Sequence, residues 1–390
     1  MSETAAAAEP GPPARRLRPF ALKLGTLALL LLALVAWVAL SPAGDAAPHP
    51  FNQDRNAVWL EHRWLERAHD DREVGDMLGA LQARGVAYVY PHVIPFDREG
   101  KLPPHDREQM RRFLEVARRV APEMKVLPWV GGLRVGYKRT RAGTLDLADL
   151  AQRQRIVAEC RGLIDEGFQG VHLNIEPVDD GNDDFLALLR ALRTAVGDDN
   201  VLSLSAIKPG PVHLPLAPNF FWTADYYARV GELAEQIVVM AYDTGIPTPS
   251  LYRRYLAYVS GRLSRTLGDA HSRARVLVGV PTYAGAGIMH RAGVENPENA
   301  LLGIVAGLRG LGAGGTFEGV ALYAEWTTDE EEWETYERLW RGKTSGPALR
   351  GPAIPEPPAG TSLPAGRSAP GRTAPAGSLR AAPGSPATRP

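Results

Sequence analysis

Between positions 56 and 342, short apolar runs alternate with longer stretches of helical periodicity, and the pair recurs about eight times. No other feature of the chain constrains its fold as strongly. The runs are AVWL (57–60), VAYVYPHV (86–93), KVLPWV (125–130), FQGVHLNIEP (168–177), VLSLSA (201–206), QIVVM (236–240), VLVGVP (276–281) and GVALY (319–323). Short runs rich in Val, Ile, Leu and Tyr read as strands. The stretches between and after them predict helices over 71–84, 106–120, 146–166, 184–196, 224–234, 251–267, 298–311 and 329–341. In the second of these, Met110, Phe113, Leu114 and Ala117 fall on one stripe; in the fourth, Phe185, Leu188, Leu189 and Leu192 do. Strands joined by helical crossovers run parallel. Eight such units predict an α/β fold of the (β/α)8 TIM-barrel type. An open doubly wound sheet is the competing architecture, and it normally has fewer strands. No glycine-rich phosphate loop follows the first strand, so a dinucleotide is not expected, nor is any other cofactor.

The flanks differ in composition. Residues 1–19 are rich in Ala and Pro and are expected to be disordered. The run 24–40, LGTLALLLLALVAWVAL, is unbroken by charge. With 20–22 it approaches the roughly 20 apolar residues that a membrane-spanning helix needs. Arg15, Arg16, Arg18 and Lys23 precede it, and the next basic residue is Arg55. The positive-inside rule then places the N-terminus in the cytoplasm and the barrel outside. Segment 20–41 is expected to be a single-pass transmembrane anchor. A signal peptide cleaved near Ser41-Pro42-Ala43 is the alternative, and it would leave the barrel secreted. Residues 42–55 form a linker and 56–342 the barrel domain. Residues 343–390, rich in Pro, Ala, Gly and Ser, predict a disordered tail. Lys plus Arg and Asp plus Glu both number 44. That balance gives no global field to draw nucleic acid. Cys160, the only cysteine, lies on a helical stripe and reads as an inert core residue, so no internal disulfide exists. His62, His92 and His172 are scattered without ligand spacing, and no metal site is expected.

In such a barrel, chemistry sits at the C-terminal ends of the strands. Alternate side chains leave a strand on one face, so His172, Asn174 and Glu176 point the same way. The other strand ends carry Tyr90 and His92, Trp129, Ser205 and Lys208, Tyr242 and Asp243, Thr282 and Tyr283, and Tyr323, Glu325 and Trp326. Aromatic faces pack on sugar C–H faces, and interleaved polar groups bond hydroxyls, so this set reads as a carbohydrate groove. Any single aromatic among them fills a barrel layer equally well. Lys208 reads as a solvated loop lysine, and Arg134, Lys138, Arg139 and Arg141 as a solvated loop. Thr327 or Thr328 is expected to cap the last helix, whose acidic first turn suits the helix dipole.

FQGVHLNIEP, VVMAYD, VGVPTY and GVALYAEW, in that order, resemble four strands of glycoside hydrolase family 18, the chitinase-like barrels. VLPWVGG and VLSLSA resemble the family's third and fifth strands, and the likeness extends over 56–342. The family's strand-four pattern, D-x-x-D-x-D-x-E, falls on Gln169, His172, Asn174 and Glu176. The resemblance implies that Glu176 is the general acid and that the substrate's own 2-acetamido carbonyl is the nucleophile. Asn174 takes the place of the aspartate that orients the acetamido group. It hydrogen-bonds but carries no charge. Tyr242 and Asp243 match the M-x-Y-D motif that holds the same group, and Trp326 matches the tryptophan under the reacting sugar. His172, Trp129, Tyr90, Tyr283, Tyr323 and Glu325 are the expected substrate contacts. Where the substrate does not supply the nucleophile, Asp243 or Glu325 is the carboxylate left to activate water. The expected function is a membrane-tethered, exported glycosidase acting on an N-acetylhexosamine polysaccharide or oligosaccharide, chitin-like or peptidoglycan. The alternatives are a non-catalytic glycan-binding barrel and a glycosidase of different sugar specificity.

Overall fold

The predicted alternation becomes one parallel sheet whose strands are β1 (Asn56–Leu60), β2 (Val86–Pro91), β3 (Lys125–Val126), β4 (Trp129–Leu133), β5 (Gly170–Glu176), β6 (Val201–Ala206), β7 (Gln236–Val239), β8 (Arg275–Pro281) and β9 (Phe317–Tyr323). A computed structural model describes residues 25–33, 35–36, 46–67, 69–135, 145–209, 221–285, 287, 289–309, 311 and 315–343. Spatial order is β3-β2-β1-β9-β8-β7-β6-β5-β4. β3 and β4 are pieces of a single predicted strand. Pro128, which has no N–H to donate, interrupts it. The ladder continues across the break: Leu127 N–H donates to the Val89 carbonyl (2.9 Å), and His172 N–H to that of Pro128 (3.0 Å). The two ends of the list are therefore one strand, and the sheet curls into a TIM-like barrel.

The helices around it are α1 (Arg63–Glu66), α2 (Asp71–Ala83), α3 (Arg107–Val120), α4 (Leu150–Asp165), α5 (Asp183–Val196), α6 (Ala224–Gly231), α7 (Pro249–Asp269), α8 (Pro297–Leu308) and α9 (Glu330–Leu339). From α2 onward, each starts at a short polar residue whose side chain accepts a first-turn N–H: Asp70, Asp106, Asp149, Asn182, Thr223, Thr248, Asn296 and Asp329. Such a cap contributes about 1 kcal/mol. Asp149 explains why α4 begins at Leu150 and not at 146. The cap of α9 is Asp329, bonded reciprocally with Glu332, and not Thr327 or Thr328. Those two hydroxyls donate to the Ala324 carbonyl instead, at 3.0 and 2.8 Å.

Outward-facing strand residues and the helices enclose the main core, where Cys160 is buried and its thiol is pushed up to about 12 by that burial. Inside the barrel, Ala57, Trp59, Tyr88, Tyr90, Leu127, Val238, Leu277 and Ala321 form a second packed layer. A polar chain threads it. Arg55 and Tyr88 donate to Glu318 Oε1 (2.5 and 2.8 Å), and Tyr90 and Ser203 to Gln236 Oε1 (2.5 and 2.7 Å). Buried polar groups require such partners, and here the chain runs from the barrel bottom to the strand that carries Glu176.

Residues 25–33 and 35–36 are helical and exposed. Among the described residues no helix is long and apolar enough to cross a membrane. The rest of the expected span, the 1–19 segment, Lys138, Arg139, Arg141 and the tail from 344 lie outside the described residues.

Candidate active site

On β5, the inward residues end as His172, Asn174 and Glu176, and their depths differ. His172 is 0% exposed. Its ring stacks on Tyr90 with centroids 3.9 Å apart, and its Nε2 accepts from Trp59 Nε1 at 3.2 Å. An indole N–H only donates, so Nε2 carries no proton and Nδ1–H faces Ser203 Oγ at 2.8 Å. Burial holds the ring neutral, lowering it to about 3. His172 and the equally buried Tyr90 thus lie under the site as packing and do not line it, contrary to the expected substrate contacts. The strand's pleat gave their direction and not their depth. Gln169 stands at the strand's lower end, accepting from Val126 N–H at 2.9 Å.

Above this floor, Asn174 and Glu176 are part-buried. β4 approaches so closely at Gly131 that a Cβ there would stand 1.8 Å from the Asn174 carbonyl oxygen. The Asn174 Oδ1 is buried and accepts no hydrogen bond from the described residues. Burial raises the Glu176 carboxyl, the Lys208 ammonium opposes that rise, and the Asp243 carboxylate adds to it. Lys208 is not a solvated loop lysine: its Nζ donates to the carbonyls of Tyr242 (2.6 Å) and Asp243 (3.1 Å). Burial lowers it, while Asp243, Glu295 and Glu176 favour its charge.

Tyr242 is 7% exposed and stacks on Tyr323 (5.2 Å, 21°). Gly279 makes room for it, since a Cβ there would lie 2.8 Å from Tyr242 Cε1. Tyr283 meets both rings edge-on, and its hydroxyl donates to Asp243 Oδ1 at 2.5 Å. Trp326 and Trp129, both part-buried, approach Tyr323 at 5.8 and 6.3 Å and extend this aromatic group. Tyr323 is pushed up to about 12 by burial, with Glu176 and Asp243 contributing.

Glu325 does not join this group. The 3₁₀ turn Glu325–Thr327 rotates it toward α1, where Trp64 Nε1 donates to it at 3.3 Å and Arg63 stands 3.7 Å away. Burial raises its carboxyl and Arg63 opposes that. Arg134 also finds a partner, Asp179 at 3.1 Å. Two residues that the sequence reading passed over, His290 and Glu295, lie beside Asp243. The donor atoms of these three converge within 4.8 Å of one another. His290 and Glu295 share the loop between β8 and α8, and Asp243 stands in the loop after β7, so only the fold brings the three together.

The arrangement is a recessed carboxyl held toward its protonated form, an amide oxygen on the same strand face with no partner among the described residues, and a group of aromatic rings. It suits proton donation to a ligand with flat apolar faces and an N–H to offer. A model of the glycosyl hydrolases family 18 matches residues 68–347. A comparison with curated protein sequences finds no match. Among solved structures, the spore cortex-lytic enzyme SleL of Bacillus cereus aligns with a TM-score of 0.50 at 11% identity, over 74% of this chain and 75% of that one. The chitinase of Chromobacterium violaceum aligns at 0.46 with 15% identity, over 73% and 98%. A chitinase-like agglutinin from Robinia pseudoacacia aligns at 0.49 with 15% identity, over 73% and 99%. At 11% identity the likeness to SleL concerns the fold alone.

Proposed function

The chain belongs to the glycosyl hydrolases of family 18, and from that premise we propose that it cleaves an N-acetylhexosamine glycan, chitin-like or peptidoglycan, with Glu176 as general acid. The carrying observation is the buried Asn174 Oδ1, which has no partner among the described residues, two residues before Glu176 on the same strand face. A buried acceptor left unmade costs about 1–3 kcal/mol. The N–H of a substrate acetamido group would satisfy it and turn the acetamido oxygen toward the anomeric carbon as nucleophile. Glu176, raised by burial, protonates the departing glycosidic oxygen. Trp326 and Tyr323 take the apolar face of the sugar. Asn174 supplies orientation and no charge, so the positively charged intermediate is stabilised less than by an aspartate. The Asp243 carboxylate supplies the nearby negative charge. The run 24–40 serves as anchor or signal, placing the barrel outside the cytoplasm.

A chitooligosaccharide and its de-N-acetylated counterpart test this reading. Turnover of the first alone is expected. Turnover of the second alone would assign a different sugar specificity. Tight binding of the first with no turnover would make the barrel a glycan-binding protein, a reading that the absent strand-four aspartates favour.

A further inference from the structure

We infer that Asp243, His290 and Glu295 form a binding site for a divalent transition-metal ion of the Zn2+ type, beside the glycan site and sharing Asp243 with it. The imidazole Nε2 of His290 lies 3.0 Å from the Tyr283 carbonyl oxygen. A carbonyl only accepts, so Nε2 carries the hydrogen and Nδ1 is left to face the carboxylates. Nδ1 stands 3.5 Å from Asp243 Oδ1 and 3.6 Å from Glu295 Oε2. Charge-assisted N–H···O bonds are about 2.7–2.9 Å long, so these gaps are too wide for hydrogen bonds. They match the edge of a tetrahedron around Zn2+, which ligand distances near 2.0–2.2 Å set at roughly 3.3–3.6 Å.

Two further observations point to a ligand. Among the described residues, His290 Nδ1 and Glu295 Oε2 are buried with no hydrogen-bond partner, and the two side chains are 6% and 0% exposed. Each candidate ligand is also held through another contact. Glu295 Oε1 accepts from Thr244 N–H (3.0 Å) and Oγ1 (2.7 Å), His290 is fixed by Tyr283, and the Tyr283 hydroxyl bonds Asp243. Metal ligands are ordinarily oriented by such contacts. Two carboxylates neutralise the ion, and one imidazole with two carboxylate oxygens is a donor set for zinc, not for Ca2+ or Mg2+, which take six or more oxygens. Asp243 is half-exposed and leaves a side open for a fourth ligand.

The test is titration of the full chain, stripped with chelator, with Zn2+ by calorimetry, followed by Co2+ loading and visible absorption. One tight site per chain and a four-coordinate Co2+ spectrum are expected. In Glu295→Gln, nearly isosteric, and in Asp243→Asn, at an exposed position that leaves folding intact, the affinity should fall at least tenfold and the spectrum should be lost. Absence of stoichiometric binding would overturn the assignment. Undiminished binding in the folded Asp243→Asn chain would overturn it equally.

Discussion

Gly279→Ala probes how tightly the barrel holds Tyr242. An alanine Cβ would stand 2.8 Å from Tyr242 Cε1 and 2.9 Å from the Val239 carbonyl oxygen. Comfortable carbon contacts are about 3.5–4.0 Å, so the ring must retreat by roughly 0.7 Å or the strand must bend. Neither moves freely. The ring is stacked on Tyr323 and edged by Tyr283, and Val239 is paired with Ala206 and Val278 on either side. Overpacking of this kind costs about 1–3 kcal/mol. At about 2–4 °C per kcal/mol, the melting temperature should fall by several degrees. A sub-ångström displacement of Tyr242 should also lower kcat/KM on an N-acetylated oligosaccharide by about ten- to a hundredfold. Calorimetry and steady-state kinetics measure both, with Gly293→Ala as control, because nothing lies within 4 Å of a Cβ there. Wild-type melting and turnover in Gly279→Ala would refute the claim that Tyr242 is pinned.

Three further outcomes are expected. Burial and the Asp243 charge raise Glu176, so the acid form persists upward and the alkaline limb of kcat should lie above the ordinary carboxylate range. Lys208→Met removes the positive charge that opposes this, and a pH–rate profile should show the limb moving higher still; a limb that moves down contradicts the assignment. His172→Ala should cost about 2–4 kcal/mol of stability in a urea melt, because it empties a packed site and strips partners from Trp59 and Ser203. Glycan affinity of the folded variant should stay unchanged, whereas lost affinity at full stability would place His172 on the substrate. Trp326→Ala should weaken oligosaccharide binding by about ten- to a hundredfold in calorimetry, and an unaltered Kd would remove Trp326 from the groove.

Much of this molecule could be read before its coordinates, because hydrophobic period and helix caps are local. The strand and helix order followed directly, and the motifs named Glu176, Tyr242 and Tyr323, which the fold sets near one another. What failed to show in the sequence depends on depth and on distant partners. The inward row of β5 told where His172 points, but its sinking beneath Tyr90 and Trp59 is a property of the closed barrel. Glu325 looked like a site carboxylate because it follows a strand, and a single turn of 3₁₀ helix sent it to Arg63 and Trp64. Lys208 looked solvated because its acceptors, the carbonyls of Tyr242 and Asp243, are distant in sequence. Asp329 capped α9 where a threonine was expected, since both threonines were already bonded to Ala324. His290 and Glu295 meet Asp243 only in three dimensions.

The central claim is that Glu176 donates the proton that releases the glycan's leaving group. Glu176→Gln keeps the shape and removes the acid. Hydrolysis of an N-acetylated oligosaccharide by the variant and the wild type, with calorimetric binding in parallel, tests it directly. Loss of at least about 10²–10⁴-fold in kcat with Kd within a few-fold is predicted. Turnover at the wild-type rate in the Gln variant would contradict it.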